Sequence, residues 1–170
     1  MNTVVATIDQ ASLNVVLGKV SVTGTKEWSG EILLVHWSVT VKFDVSNLHG
    51  TIANGQVKVF AKVHVTAGPV SYTHDDLEAF VEIGMDGAQV RLRITSLEVP
   101  VYVKPFGEEI DLGKVDVCTL SGPVEVRVKV LPGPETSTLP GGAQMTITSS
   151  NSQVVVLPGA IQASATLSVF

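Results

Sequence analysis

The chain has 170 residues, enough for one domain that can bury roughly 70% of its unfolded surface without a staple. The lone Cys118 excludes an internal disulfide and any CxxC redox or zinc pattern. A formal charge of −5 argues against nucleic acid as a main partner, because phosphate binding needs surplus Lys and Arg on one face.

Charged residues make up only 16% of the chain, whereas valine occurs thirty times. High apolar content with low charge excludes disorder. Valine is stiff at χ1 and packs well on a pleated surface, so the composition favours sheet. No apolar run is long enough to span a membrane as a helix, and an integral membrane protein is not expected. Met1 to Gln10 lacks the basic start and continuous apolar stretch of a signal peptide. A cytoplasmic setting is therefore the default expectation.

In chain order, the first period-two run is Leu13, Val15, Leu17, read as a strand. Residues 35–45 (VHWSVTVKFDV) alternate without a break. Val35, Trp37, Val39, Val41, Phe43 and Val45 share one face, while His36, Ser38, Thr40, Lys42 and Asp44 share the other. Asn54-Gly55 then predicts a two-residue hairpin that sets Ile52 opposite Val57. Further out, Val45 would face His64 unless one extra residue intervenes. A bulge within 47–50 restores Val45 to Val63 and Asp44 to His64.

Residues 76–85 (DLEAFVEIGM) fit both a helical and a strand period. Asp86-Gly87 decides for the strand, since a hairpin there sets Ile83 against Val90, Val81 against Leu92 and Glu82 against Arg91. A phase change between Ile94 and Leu97 predicts a bulge or bend at Thr95-Ser96, and Pro100 then belongs on an edge strand. Ser121-Gly122 predicts another hairpin, with Val117 facing Val126 and Asp116 facing Arg127. VKVLPG at 128–133 and VVVLPG at 154–159 each read as a strand entering a Pro-Gly turn, too short an echo to be an architectural repeat.

Composition changes at 132–142 (PGPETSTLPGG), which reads as a loop or linker. Residues 132–170 hold one charged side chain, Glu135. The domain thus divides into a charged-face sheet core at 1–131, the loop, and charge-poor C-terminal strands at 143–170, all within a single 1–170 domain. The last strand alternates Ile161, Ala163, Ala165, Leu167, Val169 against small polar residues and ends in Phe170. Strand edges are normally guarded by charge, and this one is not. It is therefore expected to be covered on both faces, in part by a neighbouring subunit through strand addition. An outer-membrane terminal strand is disfavoured because Thr166 and Ser168 are polar where a lipid face is apolar.

Chemistry is sparse. His74 and Asp76, and the acidic set Glu108, Glu109 and Asp111, are the metal-ligand candidates, but no second His stands at a ligand-like spacing and no calcium loop is present. A solvated acidic hairpin mouth accounts for them more simply. Cys118 in VDVCTL reads as a buried structural thiol, and no serine lies in a G-x-S-x-G elbow. No dinucleotide or phosphate loop appears, so neither catalysis nor a cofactor is expected. Phe60 between Lys58 and Lys62 has the look of a base-stacking platform, yet low aromatic content and negative charge favour a packing contact.

The expected fold is an all-β antiparallel sandwich or flattened barrel of roughly nine to twelve strands. Trp37, Val39, Val41, Val57, Val59, Val63, Val126 and Val128 are expected to be buried. The expected function is that of a non-catalytic structural or interaction protein that assembles with itself or a protein partner. The alternative is a carrier of a lipid or other apolar ligand between curved sheets, since valine-rich walls fill space loosely.

Overall fold

Valine-rich alternation resolves into twelve strands in three antiparallel groups, in a computed structural model that describes residues 2–53 and 55–170. A six-stranded sheet runs in the order β2 (Val22–Ile32), β3 (Val35–Ala53), β4 (Gln56–Ala67), β5 (Val70–Asp86), β6 (Gln89–Ser96), β9 (Val124–Lys129). A four-stranded sheet has the order β1 (Asn2–Asp9), β12 (Ala160–Val169), β11 (Gln144–Leu157), β10 (Glu135–Thr138). β7 (Glu98–Val103) and β8 (Ile110–Asp116) form a separate ribbon. Among the described residues two α-helices, α1 (Gln10–Leu17) and the one-turn α2 (Cys118–Ser121), and a short 3-10 turn at Pro105–Gly107 complete the fold.

The large sheet curls. α2 touches both β2 and β6, bridging the curl, while the β7–β8 ribbon covers β4 and β5 from one side. The enclosed face is built from Val41, Phe43 and Val45 of β3 and Val59, Ala61, Val63 and Val65 of β4, all buried. Among the described residues no polar or charged side chain is buried. The all-β expectation is met.

The β3–β4 pairing follows the sequence reading. Ile52 pairs with Val57, the register shifts between Ser46 and His49, and beyond it Val45 meets Val63 and Asp44 meets His64. Asn47, in the bulge, has φ 51°, a left-handed conformation that Asn tolerates. Asn54 of the predicted turn lies outside the described residues, but Ala53 pairs with Gln56 around it. The Thr95-Ser96 phase change is a bulge, with Thr95 the extra residue on β6. Phe80 pairs with Ser96 and Val81 with Ile94, after which the chain leaves to form β7. Pro100 sits on that two-stranded ribbon, where every strand is an edge.

Several expectations need correction. The β5–β6 register is shifted by two residues: Ile83 pairs with Leu92 and Glu82 with Arg93, not Arg91. The turn is Gly87-Ala88, with Gly87 at φ 59°. It is held there because Ala88 O accepts from the N–H groups of Val130 (3.2 Å) and Leu131 (3.1 Å). The Ser121-Gly122 hairpin does not form. Asp116 takes hydrogen bonds from the N–H groups of Leu97 (2.9 Å) and Cys118 (3.0 Å), which turns the chain into α2. β9 then pairs with β6, Arg127 lies opposite Arg91, and its ion pairs are with Asp86 and Glu125 rather than Asp116.

Leu13, Val15 and Leu17 belong to a helix, not a strand. Asp9 caps it by accepting from Ser12 N at 2.7 Å, and Leu13 and Leu17, spaced four apart, are fully buried. Asn14 and Gln10 accept from the Gly50 and Ile52 N–H groups (2.7 and 3.0 Å), closing the edge of β3 that β2 does not reach.

Of the residues expected in the core, Val41, Val59, Val63 and Val126 are buried. Trp37, Val39, Val57 and Val128 are only half-buried, because they lie where strands run past their neighbours or along an edge.

At the C-terminus, β12 is an inner strand with β1 on one side and β11 on the other. Its backbone edges are occupied, so it cannot take part in strand addition. Ile161, Ala163 and Ala165 are buried in the chain's own core, Leu167 is half-buried, and Val169 and Phe170 are exposed. The 132–142 segment is not a free linker, since β10 within it pairs with β11.

Candidate interaction surface

The proposed metal ligands do not converge. His74 Nε2 is 2.9 Å from Pro100 O, and Tyr72 Oη both accepts from Tyr102 N (2.8 Å) and donates to Tyr102 O (3.1 Å). Together these two side chains of β5 close an edge of β7. Asp76 sits 3.4 Å from His49 Nε2, Glu109 pairs with Lys104 at 3.4 Å, and Asp111 accepts from Gly113 N at 2.7 Å. Glu108 is exposed. Among the described residues no group of three His, Cys, Asp or Glu could hold a metal ion. Phe60 stacks on His49 with centroids 5.7 Å apart.

Cys118 is buried. Burial, reinforced by the nearby Asp116 carboxylate, pushes its thiol up to about 11, so it stays protonated and unreactive at neutral pH.

The void enclosed by residues such as Val45, Leu48, Ala61, Ile94 and Leu97 measures about 20 Å³, against the 300–1,000 Å³ typical of ligand pockets. Small valines pack closely here because helix α2 descends between the sheet ends.

What the fold leaves unpartnered is an arm. β3 meets β4 only from Val41 onwards, so the β2–β3 hairpin continues alone through residues 27–40. Six residues at ~3.3 Å each carry it about 20 Å beyond the β4–β5 turn. One face presents the cross-strand pairs Trp28–Val39, Gly30–Trp37 and Ile32–Val35. The other presents Glu27–Thr40, Ser29–Ser38 and Glu31–His36, with Ser38 Oγ donating to Glu27 at 2.8 Å. Gly30 is required by its neighbour, because a Cβ there would lie 2.8 Å from the Trp37 ring. Both tryptophans of the chain are on this arm, and Lys26 Nζ lies 4.8 Å from the Trp28 ring centroid.

At the tip stand Leu33 and Leu34, 92% and 88% exposed. Their φ values are 48° and 69°, the double left-handed pattern of a type I′ turn that Asn-Gly normally fills. Phe106, at φ 54° and 67% exposed, sits at the same end of the molecule. It shares a 240 Å³ cleft with Trp37, Val39 and Pro69. The other non-glycine residues with positive φ among those described are Asn47, Asp76 and Asn151, types that accept the conformation. The large apolar residues in left-handed backbone are thus gathered at one end, exposed.

A groove opens at the opposite end. β4 and β5 stop pairing at Val59–Ala79, yet both continue, and the splay between them leaves about 430 Å³. Val57, Val81, Ile83 and Val156 line it, with exposed Phe80 on the rim. The Lys58–Glu78 ion pair, at 3.3 Å, flanks it.

The sequence reading passed over residues 33–34. The signal was present as four consecutive apolar residues, Ile32 to Val35, joining two alternating runs with no turn former between them. Compared with known proteins, the chain matches no family model, no curated protein and no solved structure. Its function has to be read from this surface.

Proposed function

We propose that the protein is a non-catalytic interaction protein that works by self-assembly or partner binding, and that the β2–β3 arm carries the contact. The observation behind this is the leucine pair at the tip. A left-handed conformation costs a non-glycine residue roughly 1–2 kcal/mol, and burial returns almost nothing at 92% and 88% exposure. Folding gains nothing from leucine here, whereas a contact surface does. The half-buried Trp28 and Trp37 behind the tip supply rigid aromatic area of the kind that anchors interfaces.

The test replaces Leu33→Asn together with Leu34→Gly and compares both proteins by native mass spectrometry. Wild type is expected to show species heavier than one chain, either further copies or an added component, and the variant only the single chain. Heavier species that survive the substitution unchanged would place the contact elsewhere.

A further inference from the structure

Taking the arm as the contact surface proposed above, we infer that its partner is a second copy of this chain, with the Leu33–Leu34 tip of one copy seated in the β4–β5 groove of the next. The two surfaces match in character. The groove has an apolar floor of Val57, Val81, Ile83 and Val156, and its 430 Å³ falls in the range of sites that hold a compact ligand. Its walls are strand segments that have stopped pairing with each other, Gln56–Lys58 on one side and Phe80–Ile83 on the other. An entering hairpin therefore finds free main-chain groups as well as apolar side chains, the combination used in strand addition.

Charge fits as well. Glu31 and His36 lie across from each other two residues behind the tip, 3.6 Å apart. Lys58 and Glu78 flank the groove and are about half exposed. The seating that brings Glu31 towards Lys58 sets opposite charges together and turns the His36 ring, a hydrogen-bonding group, towards Glu78. A rim of this kind fixes orientation more than affinity.

Geometry forbids the contact within one molecule. The tip opens β3 at Val35, and the groove lies beside the first residues of β4, which pair with the end of β3 at Ala53. Nineteen residues of strand separate them, on the order of 60 Å. The donor and acceptor patches are different surfaces at opposite ends, so the contact is heterologous and head-to-tail. Such contacts extend into open chains unless the rotation closes a ring. A hairpin tip covers much less than the ~800 Å² per partner of a standard interface, so each contact is weak and growth depends on concentration.

Sedimentation velocity of the full chain, across a concentration series, tests this. Wild type is expected to grow past the dimer as concentration rises. The tip variant (Leu33→Asn with Leu34→Gly) and a groove variant, Phe80→Asp, should each stay monomeric, with association at least tenfold weaker. Phe80 is exposed, so folding should survive; Val57→Asp, on the groove floor, serves as a second groove variant, with circular dichroism confirming the fold of all three. The decisive sample is an equal mixture of tip and groove variants. One intact groove and one intact tip allow a single contact, so the mixture should give heterodimers and nothing longer.

A dimer that does not extend and that Phe80→Asp and Val57→Asp leave intact would mean arms packing on each other, and would overturn the groove while leaving the arm. Association that persists in the tip variant would overturn both. A wild type that is monomeric throughout overturns the second copy as partner, and flotation of that monomer with phosphatidylcholine vesicles, lost in the tip variant, would assign the arm to a bilayer instead.

Discussion

Replacing Leu33-Leu34 by Asn-Gly should make the isolated fold more stable while removing its contact surface. Both leucines hold positive φ, at roughly 1–2 kcal/mol each, and Asn and Gly relieve most of that strain. Against the gain stands the loss of the small buried fraction of two leucines, about 10% of the ~1.5–3 kcal/mol that full burial contributes to each. Glycine also loses more backbone freedom on folding, about 0.5–1 kcal/mol. The sum is a stabilisation of roughly 1–2 kcal/mol. For a chain of this length that raises the midpoint of thermal unfolding by about 2–8 °C, since 1 kcal/mol corresponds to ~2–4 °C. Urea unfolding followed by far-ultraviolet circular dichroism measures it, at concentrations low enough that wild type is monomeric. Tryptophan fluorescence follows the arm separately, because Trp28 and Trp37 both lie on it. A variant less stable than wild type would show that the leucines hold the fold together, and the functional reading of the tip would fail.

Further tests address the body of the protein. A Cβ at Gly50 would lie 3.1 Å from Leu13 Cδ2 and 3.2 Å from Leu17 Cδ1, so Gly50→Ala should cost about 1–3 kcal/mol in urea unfolding by lifting α1; an unchanged midpoint would mean that α1 is not tightly seated. Cys118 should resist a thiol-disulfide reagent at pH 8 in the native state and react only after unfolding, because burial and the neighbouring Asp116 push its pKa up to about 11; rapid native labelling would contradict that. Burial opposes ionisation of Asp116, but hydrogen bonds from Leu97, Ser96 and Cys118 outweigh it and hold the carboxyl below its ordinary value. A depressed folded pKa adds stability above the unfolded value of about 4, and that contribution is lost as pH falls through the folded value. Stability curves of wild type and Asp116→Asn should therefore lie apart at pH 6 and converge towards pH 3, and a gap that stays constant with pH would refute the assignment.

Strand identity was legible where local information sufficed. Alternation within 35–65 placed β3 and β4, and the mismatch of Val45 with His64 located the bulge one residue at a time, because a slip there would turn every valine to the wrong face. Asp86-Gly87 identified the right hairpin but not its register. A shift of two keeps each side chain on its face, so the hydrophobic pattern is blind to it, and the hydrogen bonds from Val130 and Leu131 to Ala88 decide. Ser121-Gly122 looked equally good as a hairpin, yet Asp116 bonds to Leu97 and Cys118 and bends the chain into α2. Leu13, Val15, Leu17 read as a strand, but only Leu13 and Leu17, four apart, turn inward, and Val15 is left exposed on the helix. Gly50 opens the space that a helix needs, and nothing within three turns of sequence reveals it.

The candidate site divides in the same way. The sequence alone determined that one face of residues 35–45 is apolar. Whether that face is core or surface depends on how far β4 accompanies β3, and β4 turns away at Ala67, opposite Val41. Val41, Phe43 and Val45 are buried from that point, and Val35 to Val39 are left on a projecting arm. The C-terminal strand shows the converse. Its lack of charge implied cover, and tertiary structure supplied the cover from β1 and β11 of the same chain. Periodicity reports which side chains share a face, because it is a property of the strand. What that face meets is a property of strands distant in sequence, and only their packing decides it.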